Sequence, residues 1–553
     1  MKRCRFGLSI ALGVMLTMGL LVGFSLVDDS ALASTADPQA RSHTGPSNQV
    51  RAQDAVSTAY VVVRFGDNDA IVREIPFTQP ITAHIALERA GLNPVVADNG
   101  FLCRIGDLGQ ARPDGSGCDN GTRYWGTYYW GGDAWKFRMV GVDQAVISQT
   151  GHVEGFSWSD PGYAGVEPPH APALVSAKEG LDWLHEQQKA DGSFGSVNYT
   201  AEVLMAVSAN KLDASTWRSS PSLLANVLSN GEEFASLNSA GAGKLAVALA
   251  AQESCWPIGA MKPLSHYHPT SGTFSTDTLY QAWGILGTAA LSDTAPISAV
   301  ESLKENQQPN GGWELFAGFG ADTNSTALAI EALVAAGEPV TSTSIVSGLN
   351  YLENAQNVDG GFPYSPDSPY GTDSDTNSTA YVVQALFAAG EDPLSGQWAI
   401  SETNPISYLL SMQLPNGSFE WQDGFGANQI ATQQAIPALL HRSLPMMIDA
   451  LESCYGISGQ VVSDIEGVQT GLEGVAMEAE GADDLFFGST DATGTYTLSV
   501  SRAGTYTLTP TKGGFTFSPT LRTAEVGGSL GEISQVSHFK GGTQVYLPLI
   551  IRY

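Results

Sequence analysis

The sequence predicts a multidomain chain built around an α/α toroid (α6/α6-type barrel), six inner helices ringed by outer ones, with a small N-terminal α+β domain before it and a C-terminal β-sandwich after it. Three observations carry this. At 553 residues the chain is too long for one hydrophobic core. A short motif (Gln, two residues, Asp or Asn, Gly, Ser or Gly, then an aromatic) recurs at Gln188–Phe194, Gln307–Trp313, Gln356–Phe362 and Gln413–Phe419. A unit repeated in this way cannot bury its own apolar face, so its copies must stack on one another. On either side of the repeats the hydrophobic period changes to two, that of strands.

In chain order, residues 1–33 read as a signal peptide. Lys2, Arg3 and Arg5 precede an apolar run from Gly7 to Leu26, and Ala31-Leu32-Ala33 supplies a small-residue cleavage pattern. Residues 34–57 are small and polar, a disordered linker. The α+β domain takes 58–162. Tyr60–Phe65 and Ala70–Ile75 form a hairpin, and a helix runs from about Ile81 to Ala90. Cys103 and Cys118 bracket a Gly/Asp/Pro-rich loop, and export favours a disulfide there, while pairing of Cys255 with Cys454 stays open. Trp125, Tyr128, Tyr129, Trp130 and Trp135 follow; alternation turns half of them outward, towards a flat ligand or a neighbouring domain.

Residues 173–445 hold the repeats. Inner helices are expected near 198–210, 239–252, 275–291, 322–336, 375–389 and 428–442, apolar nearly all round and hence buried on both sides. Five outer partners are legible, and a loop from Cys255 to Thr273 stands in place of a sixth. Gly337 and Gly390 are placed to cap helix ends. Short alternating segments at 455–540 make the sandwich, and 541–553 is an apolar tail. The net charge of −30 argues against nucleic acid and acidic lipid surfaces. No Cys-x-x-Cys or His-Glu-x-x-His spacing points to a metal, and no stretch beyond the signal is long and apolar enough to cross a membrane.

The repeats resemble those of the superfamily that joins prenyltransferases, squalene cyclases and cobalamin carriers. The resemblance implies the toroid, whose mouth, at the starts of the inner helices, is where ligands sit. Residues 58–160 look like the small β domain of the cobalamin carriers, although here it precedes the toroid, and Asn428–Arg442 is similar to the carriers' final inner helix. The sandwich resembles carboxypeptidase-regulatory modules. Asp322, Asn324, Asp375, Asn377 and Gln429 stand at inner-helix starts, where their side chains serve either as N-caps or as polar ligand contacts. Trp125, Tyr128 and Trp130 would form the opposing wall of a cleft. His266 and His268 lie in the loop before 275 and offer imidazoles to a corrinoid cobalt, or are simply solvated.

The expectation is a secreted or cell-surface, non-catalytic protein that binds a small molecule, with cobalamin or a related corrinoid as the ligand the resemblance implies and no metal of its own. The alternative is a terpenoid-cyclase or prenyltransferase-like enzyme. Asp373-Ser-Asp375-Thr376 resembles the Asp-x-Asp-Asp acid of squalene cyclases short of its last carboxylate, with Asp375 as the acid. No Asp-x-Cys near an inner helix matches the prenyltransferase zinc site. A third reading is an adhesion protein whose toroid binds another macromolecule.

Overall fold

The computed structural model describes residues 56–446 and 455–543, except 113–116, 120, 162–164, 218–220, 253–261, 292, 370, 466–467, 482–484, 501–503, 527–532 and 536–538. The signal, almost all of the linker, Cys255, Cys454 and most of the tail lie outside the described residues.

The first unit is a five-stranded sheet of β1 (Ser57–Gly66), β2 (Asp69–Phe77), β3 (Trp125–Trp130), β4 (Trp135–Phe137) and β5 (His152–Trp158), in the order β2-β1-β5-β3-β4. β1 and β5 are parallel and the other pairs antiparallel. Helix α1 (Ala83–Arg89) starts at Thr82, whose side chain caps Ile85 N–H. Cys103 and Cys118 are joined by a disulfide.

The run Tyr60-Val-Val-Val is apolar on both sides of the strand because the sheet is covered on both faces. Ala59, Val61 and Val63 pack with Leu87, Trp125 and Phe156 in the domain's own core. Val62, Ala70, Val72, Tyr128 and Trp135 belong instead to the core shared with the helices that follow.

Those helices form the ring. The inner set is α3 (Val197–Ala209), α5 (Ser239–Ala250), α6 (Thr278–Ala290), α8 (Thr323–Ala335), α10 (Thr376–Ala388) and α12 (Gln429–Leu439). The outer set is α2 (Ala171–Gln187), α4 (Leu223–Leu237), α7 (Ile297–Glu305), α9 (Thr343–Ala355) and α11 (Pro405–Ser411). Between α5 and α6 a 3-10 turn at Pro263–His266 stands where an outer helix would be.

The repeated motif proves to be joinery. In each copy the Gln amide donates to the motif's Gly carbonyl and to a carbonyl of the next unit: Trp217 from Gln188, Ser344 from Gln307, Trp398 from Gln356 and Ser176 from Gln413. The Asp or Asn oxygen takes the amide two residues on. The Gly must be Gly: at Gly311, φ is +91° and a Cβ would stand 2.3 Å from the Ser347 carbonyl oxygen. The aromatic's N–H donates to a Thr hydroxyl on the following inner helix, as in Trp313 to Thr326 and Phe362 to Thr379. The same bond joins Phe194 to Thr200 and Phe419 to Thr432. Two bonds from the last unit to the first close the ring: Gln413 Nε2 to the Ser176 carbonyl at 2.9 Å and Gln429 Nε2 to that of Phe194 at 3.1 Å.

Beyond residue 455 two sheets face each other over Ile457, Val461, Met477, Tyr496, Leu508 and Phe539. Among the described residues no helix is long and apolar enough to cross a membrane.

Candidate functional site

The starts of all six inner helices surround a cavity of about 270 Å³. Its walls are mostly apolar and aromatic, with Phe234, Tyr280, Trp283, Tyr364 and Tyr381 around Leu279, Leu315 and Leu328.

Asp322 sits at the rim as the N-cap of α8. Its Oδ1 accepts the Ser325 N–H at 2.7 Å. Its Oδ2, shielded from solvent, lies beside the Tyr364 hydroxyl, and among the described residues none completes a well-formed hydrogen bond to it. Burial disfavours the ionised form and lifts this carboxyl to about 7 against the opposing pull of its hydrogen bonds. A protonatable acid is therefore stored at the wall of a cavity lined with rings.

Deeper in the bore lies a polar belt. Lys244 on α5 donates to Glu202 on α3 at 2.5 Å and to the Asn198 side chain at 2.8 Å, with its ammonium 5.2 Å from the Trp283 ring centre. Gln433 and Gln434 donate to the other Glu202 oxygen, and Asn377 donates to Gln434. The charges in the belt are thus paired and hydrogen-bonded, the condition under which burying them is tolerable.

Below the belt, Leu444 and Met446 of the chain leaving α12 line a small space of about 30 Å³ together with Trp283, Tyr381 and Gln434. The Leu444 N–H is held by Glu331 Oε1 at 2.8 Å, while Glu331 Oε2 is buried without a partner among the described residues. Burial raises this carboxyl to about 8. The β domain docks at this same end. Asn210, at the end of α3, pairs its side-chain amide with both backbone groups of Val72, as a strand neighbour would. Asp69 is held by Lys211 at 2.8 Å and Arg442 at 3.0 Å.

The residues expected to form a site are therefore divided. Asp322, Asn324 and Asn377 line the cavity. Asp375 does not: it caps α10, its Oδ1 taking the Ser378 N–H and its Oδ2 the Ser378 hydroxyl, both at 2.8 Å. Asp373 is exposed. Gln429 is spent on ring closure. The aromatic strand is no ligand wall. Trp125 and Tyr128 are buried, Trp125 against Trp158, while Trp130 packs edge-on to His170 and Trp135. Trp135 Nε1 donates to the Pro169 carbonyl at the foot of α2. These rings meet the toroid at the end where inner helices finish, opposite the mouth, so the expected cleft between them and Asp322 is not formed. His266 bonds the Ala235 carbonyl and His268 is exposed; neither lines the cavity.

The sequence reading missed Glu202, Lys244, Glu331, Tyr364 and the aromatic lining. Three of the lining rings, Tyr280, Trp283 and Tyr381, stand on the inner helices α6 and α10, while Phe234 comes from an outer helix and Tyr364 from a loop. A usable signal was present: Glu202, Lys244 and Glu331 are lone charges in helices otherwise apolar all round, and such a charge must find a partner or change its protonation.

Residues 270–432 match the squalene-hopene cyclase C-terminal domain. No curated protein matches the chain. Among solved structures, the type II terpene cyclase MstE from Scytonema is similar at 14% identity and a TM-score of 0.37, over 49% of this chain and 97% of that one. A protein from Actinoplanes is similar at 15% identity and a TM-score of 0.33, over 49% and 98%. Ent-copalyl diphosphate synthase from Streptomyces platensis is similar at 20% identity and a TM-score of 0.32, over 44% of this chain and 49% of that one. At these identities and scores the likenesses carry no reading of substrate or activity. The helical ring is of the prenyltransferase/squalene-cyclase-like kind, with β-rich units before and after it.

Proposed function

We propose that the toroid is a terpenoid-cyclase-like catalytic unit in which the neutral Asp322 carboxyl protonates a carbon–carbon double bond of an apolar ligand held in the mouth. The observation that carries this is the shielded, incompletely bonded Oδ2 of Asp322 at the wall of a ring-lined cavity. The O–H proton goes to one alkene carbon, and the alkene's π pair becomes the new C–H bond. The cation left on the neighbouring carbon faces aromatic rings whose quadrupoles stabilise it, while the second alkene of a polyene supplies electrons for a C–C bond. The cation left by ring closure is quenched by loss of a proton from a neighbouring carbon to water, and Asp322, left as carboxylate, regains a proton from water after the product departs. The cyclase match of residues 270–432 supports the same reading.

The test is incubation of the purified full chain with farnesol, geranylgeraniol and squalene, with cyclic products sought by gas chromatography and mass spectrometry. Asp322→Asn keeps a capping side chain but has no acid. It is expected to lower conversion about 10²–10⁴-fold, the usual worth of a positioned general acid. Conversion of none of the three, or equal conversion by the variant, defeats the reading.

One observation favours a second reading, a binding protein without chemistry. The Lys244–Glu202 pair lines the cavity, and alkene protonation does not need it. That reading expects ligand binding with no conversion. The corrinoid clasp gains no support, because the aromatic strand and the mouth lie at opposite ends of the inner helices.

A further inference from the structure

The charges that line the mouth limit what can enter it. Lys244 is the one cationic side chain among the described residues lining the cavity, and Glu202 already neutralises it. Asp322 is mostly uncharged below neutral pH. Among the described residues no Arg is in the wall, and no group of three or more His, Cys, Asp or Glu could hold a metal ion. A phosphate or diphosphate carried into this bore would therefore find no unspent positive charge, and stripping its water would be uncompensated.

We propose that the mouth takes an uncharged isoprenoid whose polar end is a hydroxyl, seated on the Lys244–Glu202 pair with its unsaturated chain running up to Asp322. This rests on the reading of the mouth as a ligand cavity. A hydroxyl both donates and accepts. The belt offers both partners side by side: Lys244 and the Asn198 amide as donors, the Glu202 oxygens as acceptors. A phosphate ester at neutral pH chiefly accepts, and would have to displace Glu202 from Lys244. The placement also separates the two ends of the ligand. Lys244 and Glu202 project from α5 and α3, and Asp322 caps α8, which stands opposite α3 in the ring of six. A chain lying across the bore reaches both. The volume of about 270 Å³ is near the lower end of the ~300–1,000 Å³ common for ligand pockets, which suits a short chain.

Calorimetric titration of the full chain with farnesol and with farnesyl diphosphate tests this. Farnesol is expected to bind at least about tenfold more tightly, with an affinity insensitive to salt. The charge-balanced double variant K244M/E202Q, checked for an unchanged melting curve, is expected to bind farnesol roughly tenfold more weakly, the worth of about one good hydrogen bond. Equal or tighter binding of the diphosphate overturns the proposal whether or not the variant folds. So does a folded double variant that holds farnesol as well as the parent. If neither probe binds, the ligand-cavity reading falls with it. If farnesol binds but is never converted, this proposal stands and the catalytic one falls.

Discussion

Two pentapeptides of identical text, Asp322-Thr-Asn-Ser-Thr and Asp375-Thr-Asn-Ser-Thr, open α8 and α10, and the aspartates do different things. Both cap their helices and both are buried. Asp375 spends each oxygen on Ser378, and burial raises it only to about 6. Asp322 spends one oxygen on the Ser325 N–H, while among the described residues none completes a well-formed hydrogen bond to its second oxygen; burial raises it to about 7 against the pull of Ser325 and Tyr364. The repeat dictates where a carboxyl stands. What separates them is the setting of the second oxygen, taken up by the Ser378 hydroxyl at Asp375 but set beside Tyr364 at a cavity wall at Asp322.

The comparison breaks most sharply at the two aspartates. Asp322→Asn is expected to remove conversion by the 10²–10⁴-fold already given, whereas Asp375→Asn is expected to stay within about twofold of the parent in initial rate. A reversal of the two would make Asp375 the acid. Activity should also decline as pH rises through about 7, since the acid form of Asp322 is consumed there.

Next comes the sign of the pH dependence of stability. Asp322 and Glu331 have folded values near 7 and 8, raised above those of the unfolded chain. Between about pH 4 and pH 8 the folded state therefore holds more protons than the unfolded one, and stability falls as pH rises through that window. Glu331→Gln removes its share. Its stability relative to the parent should grow by a few kcal/mol between pH 5 and pH 9 in urea unfolding. A difference that does not change with pH would mean Glu331 is ionised in the fold.

A smaller and symmetrical effect is expected where the two units are truly alike. Thr326→Val and Thr379→Val each orphan a buried N–H, of Trp313 and of Phe362, and should each cost about 1–3 kcal/mol. Unequal losses would show that the units differ in scaffold as well as in chemistry. The smallest effect sharpens the contrast. Ser378→Ala frees Asp375 Oδ2 and should move its titration up from about 6 towards that of Asp322, read by carbon NMR of the carboxyl.

The ring was legible because its joints are made by side chains at fixed spacing. Gln188, Gln307, Gln356 and Gln413 each reach across to the next unit, so the motif states both the turn and the neighbour. The site was half legible. Asp322, Asn324 and Asn377 follow from their place at helix starts, but the same logic brought in Asp375, which bonds its own helix start, and Gln429, which bonds the first unit across the ring closure. Tyr364 and Phe234 could not be read, since a loop and an outer helix reach the bore only through the curvature of the whole ring. The docking of the β domain was misplaced because Asn210 and Arg442, which hold it, look like ordinary helix-end residues.

The bonds from Gln413 to Ser176 and from Gln429 to Phe194 carry a consequence for the chain's topology. An open stack of repeats has terminal members that can be trimmed at modest cost and needs caps against solvent. A closed circle has no terminal member. Deleting any one unit strands two faces at once, and where the polypeptide enters and leaves the circle is an accident of threading rather than a requirement of its architecture.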